Sequence, residues 1–381
     1  MAEDMIRCLG FERGKTAGTH YRLVQPLYKL LENGLANILT IHEENSTDLD
    51  FVVEKIIESD VITFQRPADD KWLEFIKIAQ KYGKAVVVDY DDDPFSTHPL
   101  NPAYRWFGIE NVCYNHEDGT STQVWEDGFN GFDIEKNLTR RYLFMANFKE
   151  ANLVTCTTDI LKETLSKLNP NTVVLPNLID FNIFKPIEMK KKEIRLGWQG
   201  GNSHYHDLYM IAPAIKRILS KYDNTKFVFF GDLGLKGLFK DVDESRIEWN
   251  NWVSNAAYPY KLATLNFDIG LCPIVDDKFN SCKSTLKYLE YSALKVPTIA
   301  SNIPPYSLDI THNENGLLSS EDNWFNAMEE LVLDENKRNE LAESAYCNVL
   351  ENHNSDTKAY LWLDAYKSLL KKDVKEVLRG K

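Results

Sequence analysis

Residues 279–301, FNSCKSTLKYLEYSALKVPTIAS, decide how this chain is read. A polar Lys283-Ser284-Thr285 entry leads into a helix expected over 285–294, which carries a single acid, Glu290. The helix stops near Lys295, and the following VPTIAS reads as a short buried strand. A loop feeding a helix N-terminus presents free backbone N–H groups and the positive end of the helix dipole, a combination that binds phosphate. Glu290, one and a half turns further in, is placed to accept hydrogen bonds from the vicinal hydroxyls of a sugar. Phosphate at the helix tip and ribose on its flank describe a nucleoside diphosphate. The plainer alternative is an ordinary amphipathic helix of an α/β domain.

Outward from this stretch, short apolar strands alternate with amphipathic helices, the pattern of parallel α/β sheets. In the first half, strands are expected at 5–9, 36–41, 61–64, 85–89, 153–156 and 172–175. Helices are expected at 21–32, 49–58, 69–82, 136–151 and 159–168. A polar segment, 185–195, with three consecutive lysines at 190–192, interrupts the pattern and marks a domain boundary. The pattern restarts with strands at 194–198, 226–230, 247–249, 269–273 and 298–300. Its helices are expected at 208–221, 258–265, 285–294, 324–333 and 337–350, and a last amphipathic helix over 357–371 ends in a basic tail. The expected division is 1–185, 186–355 and a C-terminal helix with tail over 356–381, which could pack back on the first domain. A chain of 381 residues suits two domains, since single cores seldom grow past about 250–300 residues.

The region 89–135 departs from this rhythm. It is far longer than an ordinary βα connection and holds eleven acids, one arginine and nine aromatic residues. Aromatic faces beside carboxylates suit neutral sugar rings, and an insertion with its own small core is the alternative.

A net charge of −13 argues against broad nucleic-acid binding and leaves room only for a local basic groove. The six cysteines form no Cys-x-x-Cys pair, so neither a disulfide framework nor a zinc site is indicated. No apolar run is long enough to span a bilayer, and the acidic start enters a strand directly rather than a signal peptide. A soluble, cytoplasmic protein without stable membrane insertion is the expectation.

In order along the chain, the segments resemble those of the glycosyltransferase family four group of retaining enzymes. VLPNLIDFNIFKP (174–186) is similar to that family's inter-domain signature, LGWQGG (196–201) to the first strand and glycine turn of its donor domain, and FVFFGD (227–232) to the next strand. Residues 268–273 and 287–301 resemble its nucleotide-binding segment, and Asn315-Gly316-Leu317-Leu318 a further turn. The resemblance implies a GT-B architecture: α/β, with two Rossmann-like parallel-sheet domains facing a central cleft. It also implies a retaining glycosyltransferase that moves a sugar from a nucleotide-diphosphate donor to a hydroxyl acceptor such as a glycan.

Carried over position by position, the resemblance assigns Glu290 to the donor ribose and Ser284 and Thr285 to the diphosphate. Gly200 and Gly201 approach the phosphates from the other side, and Trp252 lies where the nucleobase is met. Asn202 or His204 could touch the leaving phosphate; an N-cap role for Ser203 or Asp207 is the alternative. The family's first glutamate, eight positions before Glu290, is here Cys282. Lys283 is the substitute phosphate ligand, with Lys287 one turn further along the same face.

In the first domain, ERGKTAGTHYR (12–22) follows a strand and opens a helix, as the family's acceptor-side glycine loop does. Gly14, Lys15, Gly18, Tyr21 and Arg22 are its candidate acceptor-binding residues, and a surface loop is the alternative. Arg66 follows a strand end on the same cleft edge, where ligands bind in open α/β sheets. The Asp89–Asp93 carboxylates could hold Mg²⁺ or Mn²⁺, but the resemblance implies a metal-independent enzyme without a cofactor. Asp91 and Asp92 are therefore read as groups orienting acceptor hydroxyls or stabilising the reacting sugar; with Lys283 and Arg66 they form the expected catalytic set. Two other readings stay open, a non-catalytic module that binds a nucleotide sugar or glycan and a phage-type DNA-base glycosyltransferase.

Overall fold

The computed structural model describes residues 5–116, 119–187 and 192–377. Residues 188–191 of the expected linker and 378–381 of the basic tail lie outside the described residues.

The first half forms β1 (Ile6–Glu12), β2 (Ala36–His42), β3 (Val61–Gln65), β4 (Ala85–Tyr90), β5 (Val112–Asn115), β6 (Ser121–Trp125), β7 (Leu153–Cys156) and β8 (Thr172–Val174). The second half forms β9 (Ile194–Gly200), β10 (Thr225–Gly231), β11 (Ile247–Asn251), β12 (Ile269–Cys272), β13 (Thr298–Ser301) and β14 (Leu317–Ser319). Two six-stranded sheets result, ordered β2-β1-β3-β4-β7-β8 and β11-β10-β9-β12-β13-β14, and the pairing within them is parallel. Strands β3, β7 and β12 are buried along their whole length, as continuous apolar runs covered by helices on both faces should be.

The strand order reverses between β1 and β3 in one sheet and between β9 and β12 in the other. Crevices at the carboxyl ends of strands form at such reversals. In the second sheet the crevice is wide, because β12 pairs with β9 only at Leu196 and Gly197 while β9 runs on beside β10 to Gly200.

Several of the expected helices begin two to four residues from where the pattern put them, two of them beside the cleft. The first helix starts at Ala17 rather than Tyr21 and passes through a π-helical turn over His20–Val24. The helix expected from Leu208 begins at Tyr205. The polar hairpin β5–β6 and the three-residue β14 carry too little apolar pattern to be legible in the sequence.

Within 89–135 the rings of Tyr104, Trp125 and Phe132 pack on one another with centroids 5.6–5.9 Å apart, a small core of their own. Asn137 ties this core to the helix Ile134–Glu150 by donating to the carbonyls of Arg105 and Gly108.

The C-terminal helix Tyr360–Val377 returns to the first domain. Trp362 and Tyr366 are buried there among Leu23, Leu27, Val61 and Val87, and Tyr366 shares a hydrogen bond with Thr63. Among the described residues no helix is long and apolar enough to cross a membrane.

Candidate functional site

A cleft of about 710 Å³ separates the two sheets at their carboxyl ends, and both domains line it. On the second-domain wall, β9 ends in Gly200 and Gly201. A Cβ at Gly200 would lie 2.6 Å from the Trp198 ring, so packing demands glycine there. At Gly201 a Cβ would meet nothing within 4 Å, because the backbone faces the open cleft.

Beside this turn stands the helix Leu286–Ala293. Its cap residue, Thr285, makes no side-chain cap bond, because its hydroxyl is hydrogen-bonded to Asp309. The first-turn N–H groups therefore have no side-chain acceptor, the condition that suits an anion. Ser284, Leu286 and Lys287 line the cleft at this end, with Lys283, whose ammonium sits 4.9 Å from the Phe279 ring centroid.

Glu290 lies on the cleft-facing side of the same helix but is 2% exposed. Its Oε1 accepts from the Tyr21 hydroxyl at 2.8 Å, across the domain boundary. Its Oε2 accepts from the Tyr258 hydroxyl at 2.8 Å and from Gln199 Nε2 at 3.0 Å. Burial pushes the carboxyl up to about 7, against the pull of the two phenols.

Next to it, Lys287 Nζ lies 3.2 Å from His204 Nε2, and His204 Nδ1 lies 2.7 Å from Asp207 Oδ2. Asp207 Oδ1 accepts from the Val275 amide at 2.9 Å. Burial and the neighbouring ammonium of Lys287 hold His204 down near 3, so the ring is neutral. Its Nδ1–H then donates to Asp207 and its Nε2 lone pair faces Lys287. Neither Ser203 nor Asp207 caps the helix that follows.

The first-domain wall is built at the ends of β1, β3 and β4. Thr16 caps the helix start by accepting from the Thr19 amide. Gly18 lets a carboxylate approach that helix: a Cβ there would be 2.3 Å from Asp91 Oδ2. Arg66 stands behind, its Nη2 donating to Thr16 Oγ1 at 3.0 Å and its Nε 3.5 Å from Asp91 Oδ1. Burial and the adjacent Asp91 push Asp92 up to about 6.

Lys15, Gly18, Tyr21, Asp91, Asp92, Gly200, Gly201, His204, Trp252, Lys283, Ser284 and Glu290, all expected from the sequence, line this one cleft. Gly14, Arg66, Asn202 and Thr285 do not line it, and Arg66 reaches it through Asp91 and Thr16.

Arg22 is the clearest departure. Rather than facing an acceptor, it is 1% exposed and forks onto Asp89, with Nη2–Oδ2 at 2.7 Å and Nε–Oδ1 at 3.2 Å. It also donates to the Leu175 carbonyl and to Asn177 Oδ1, while Asn177 Nδ2 donates to Ser284 Oγ at 2.8 Å. Arg22 thus positions the inter-domain segment against the loop that leads into the helix Leu286–Ala293. Cys282 is 1% exposed and packs into the first-domain core rather than the cleft. Among the described residues of 89–135, no aromatic ring lines the cleft and only Asp91, Asp92, Asn101 and Ala103 do.

Gln199, Tyr258 and Asn177 are site residues that the sequence reading did not single out. Gln199 carried a signal in preceding the glycine turn directly and Asn177 in lying within the inter-domain signature, whereas nothing local distinguishes Tyr258. Among the described residues no group of three or more His, Cys, Asp or Glu side chains is arranged to hold a metal.

No family model matches the chain, and no curated protein matches it. Solved structures do. HepE from Anabaena, solved in complex with UDP and glucose, superposes with a TM-score of 0.64 over 95% of this chain and 100% of its own, at 13% identity. A glycosyltransferase from Rickettsia africae gives 0.64 over 97% and 99% at 14% identity. Sucrose-phosphate synthase from Thermosynechococcus elongatus gives 0.62 over 96% and 100% at 12% identity. With two facing parallel-sheet domains, a cleft at their strand ends and GT-B glycosyltransferases as its structural neighbours, the chain has the GT-B fold.

Proposed function

We propose that the chain is a glycosyltransferase that transfers a sugar from a nucleoside diphosphate donor to a hydroxyl acceptor, with retention at the anomeric carbon. The observation that carries this reading is one cleft wall combining an uncapped helix N-terminus, the open Gly201 backbone and Lys283, opposite a wall bearing Asp91 and Asp92. The first wall suits a diphosphate and the second suits sugar hydroxyls. The neighbouring HepE, solved with UDP and glucose in complex, supports the same class of donor.

In the reaction, the bond between the anomeric carbon and the phosphate oxygen breaks, and its electron pair leaves with the diphosphate. Helix N–H groups and Lys283 stabilise that charge, so no divalent metal is required. The acceptor hydroxyl bonds to the carbon from the face just vacated, and its proton passes to the departing phosphate oxygen. Asp91 and Asp92 orient the acceptor and offset positive charge on the sugar. A glycan acceptor fits these carboxylates better than a nucleic acid, which they would repel. Trp252, 41% exposed and beside Phe230 and Tyr258, offers a face for the nucleobase. Six free thiols suit the reducing cytoplasm.

Thermal unfolding against UDP, GDP, ADP and their sugar conjugates, with and without EDTA, tests the donor site. A ligand at about a hundred times its dissociation constant adds roughly 2.7 kcal/mol. One nucleotide raising the melting temperature with EDTA present is the expected result. A second reading, a binding module without turnover, is favoured by one observation, the buried Cys282 thiol where the family has an acid. Release of free sugar from the bound donor, lost in Glu290→Ala, decides for the enzyme.

A further inference from the structure

We propose that Lys287, held by the Asp207–His204 pair, is the principal receptor for the diphosphate in this cleft, and that binding the nucleotide draws a proton onto its amine. The inference rests on the donor-site reading and adds to it a residue and a coupling that the reading does not require.

Three observations carry it. Lys287 is 9% exposed, and its ammonium touches only the imidazole of His204; among the described residues no carboxylate lies within ion-pair distance of it. A buried charge without a counter-ion is strongly unfavourable. Lys287 also sits in the first turn of an uncapped helix, where the dipole opposes a cation. A bound anion removes both penalties together. The carboxylates nearby are otherwise engaged: Asp207 by His204 and the Val275 amide, and Glu290 by two phenols and Gln199.

The arrangement also supplies the proton coupling. Burial and the adjacent Lys283 bring Lys287 down to about 8 in the free protein. The groups facing it are Lys283, Asp207 and His204, Glu290 on its own helix, and Cys272 of β12, itself in contact with Tyr306. Near pH 8.5 His204 is neutral, Glu290 is ionised and the Cys272 thiol is pushed up to about 12, so none of these three titrates. A diphosphate against Nζ favours the charged amine and raises its pKa. Between about pH 8 and the raised pKa of the liganded amine, this coupling makes affinity fall about tenfold per pH unit.

The test is isothermal titration of the full chain with UDP at about pH 8.5, where the nucleotide phosphates are fully ionised, in two buffers of different ionisation enthalpy. Inorganic pyrophosphate at neutral pH, which probes the anion site without a base, accompanies it. The expected result is net proton uptake with UDP. Lys287→Met should weaken both ligands about 10- to 100-fold while the unliganded protein melts no lower than wild type, since a buried unpaired charge has been removed. Lys287→Arg, whose charge does not titrate, should retain binding and lose the proton uptake, and it keeps the test informative if the Met variant fails to fold. UDP binding with no proton uptake and unchanged affinity in both variants overturns the inference and leaves the donor reading standing. Pyrophosphate bound through Lys287 with no nucleotide bound overturns the donor reading and leaves the anion receptor. No binding of either ligand overturns both.

Discussion

Replacing Glu290 by glutamine isolates the ionisation of one buried carboxyl that bridges the two domains. The carboxyl is raised from 4.5 to about 7 because it is buried, even though Tyr21, Tyr258 and Gln199 donate to it. For an acid with a raised folded pKa, the stabilising effect is complete below the unfolded value and is lost as pH climbs to the folded one. Between about pH 4.5 and 7 the wild-type protein therefore loses on the order of 3 kcal/mol through this group alone. Glutamine keeps the shape, and the phenol hydroxyls can turn to accept from its amide, so Glu290→Gln should not suffer that loss. The decisive quantity is the difference between the two proteins, because Asp92 titrates in the same direction and His204 in the opposite one, and both cancel. Thermal or urea unfolding at pH 5 and pH 8 should show the variant gaining on wild type by about 3 kcal/mol across that interval. For a domain of this size that is several degrees, at about 2–4 °C per kcal/mol. Parallel stability curves for the two proteins would refute the claim that Glu290 is buried in one well-formed inter-domain contact.

Other perturbations probe the remaining parts of the site. Gly18→Ala places a methyl where Asp91 Oδ2 now sits 2.3 Å from the ideal Cβ position, so transfer should drop at least about tenfold while UDP affinity, set on the other wall, holds. Arg22→Met leaves Asp89 as an unpaired buried carboxylate and should cost about 3–5 kcal/mol in chemical denaturation. Trp252→Ala removes a stacking face and should weaken UDP by about 1–3 kcal/mol without altering pyrophosphate binding, as titration of the two ligands would show.

The alternation of strands and helices was legible in the sequence because each element carries its own apolar period. The glycine turn and the helix entry at 283–286 were legible for a related reason, since φ/ψ preference and the loss of first-turn hydrogen bonds act within a few residues. The polar insertion hairpin was not legible, because Ser121–Trp125 is largely exposed and shows no burial pattern. Arg22 looked like a cleft residue on position alone. A buried partner, Asp89, sits 67 residues away at the end of another strand, and nothing local announces it.

Local pattern carried the two parallel α/β sheets, because each strand and helix shows its own apolar period. The partners and charge states of the cleft residues, by contrast, come from contacts between distant parts of the chain. Tyr21 reaches Glu290 across 269 residues and Lys287 meets His204 across 83. Such pairs form only when the sheets have closed and the domains have docked. Local pattern reports which groups are buried; the pKa of a buried group is set by which distant groups are buried with it.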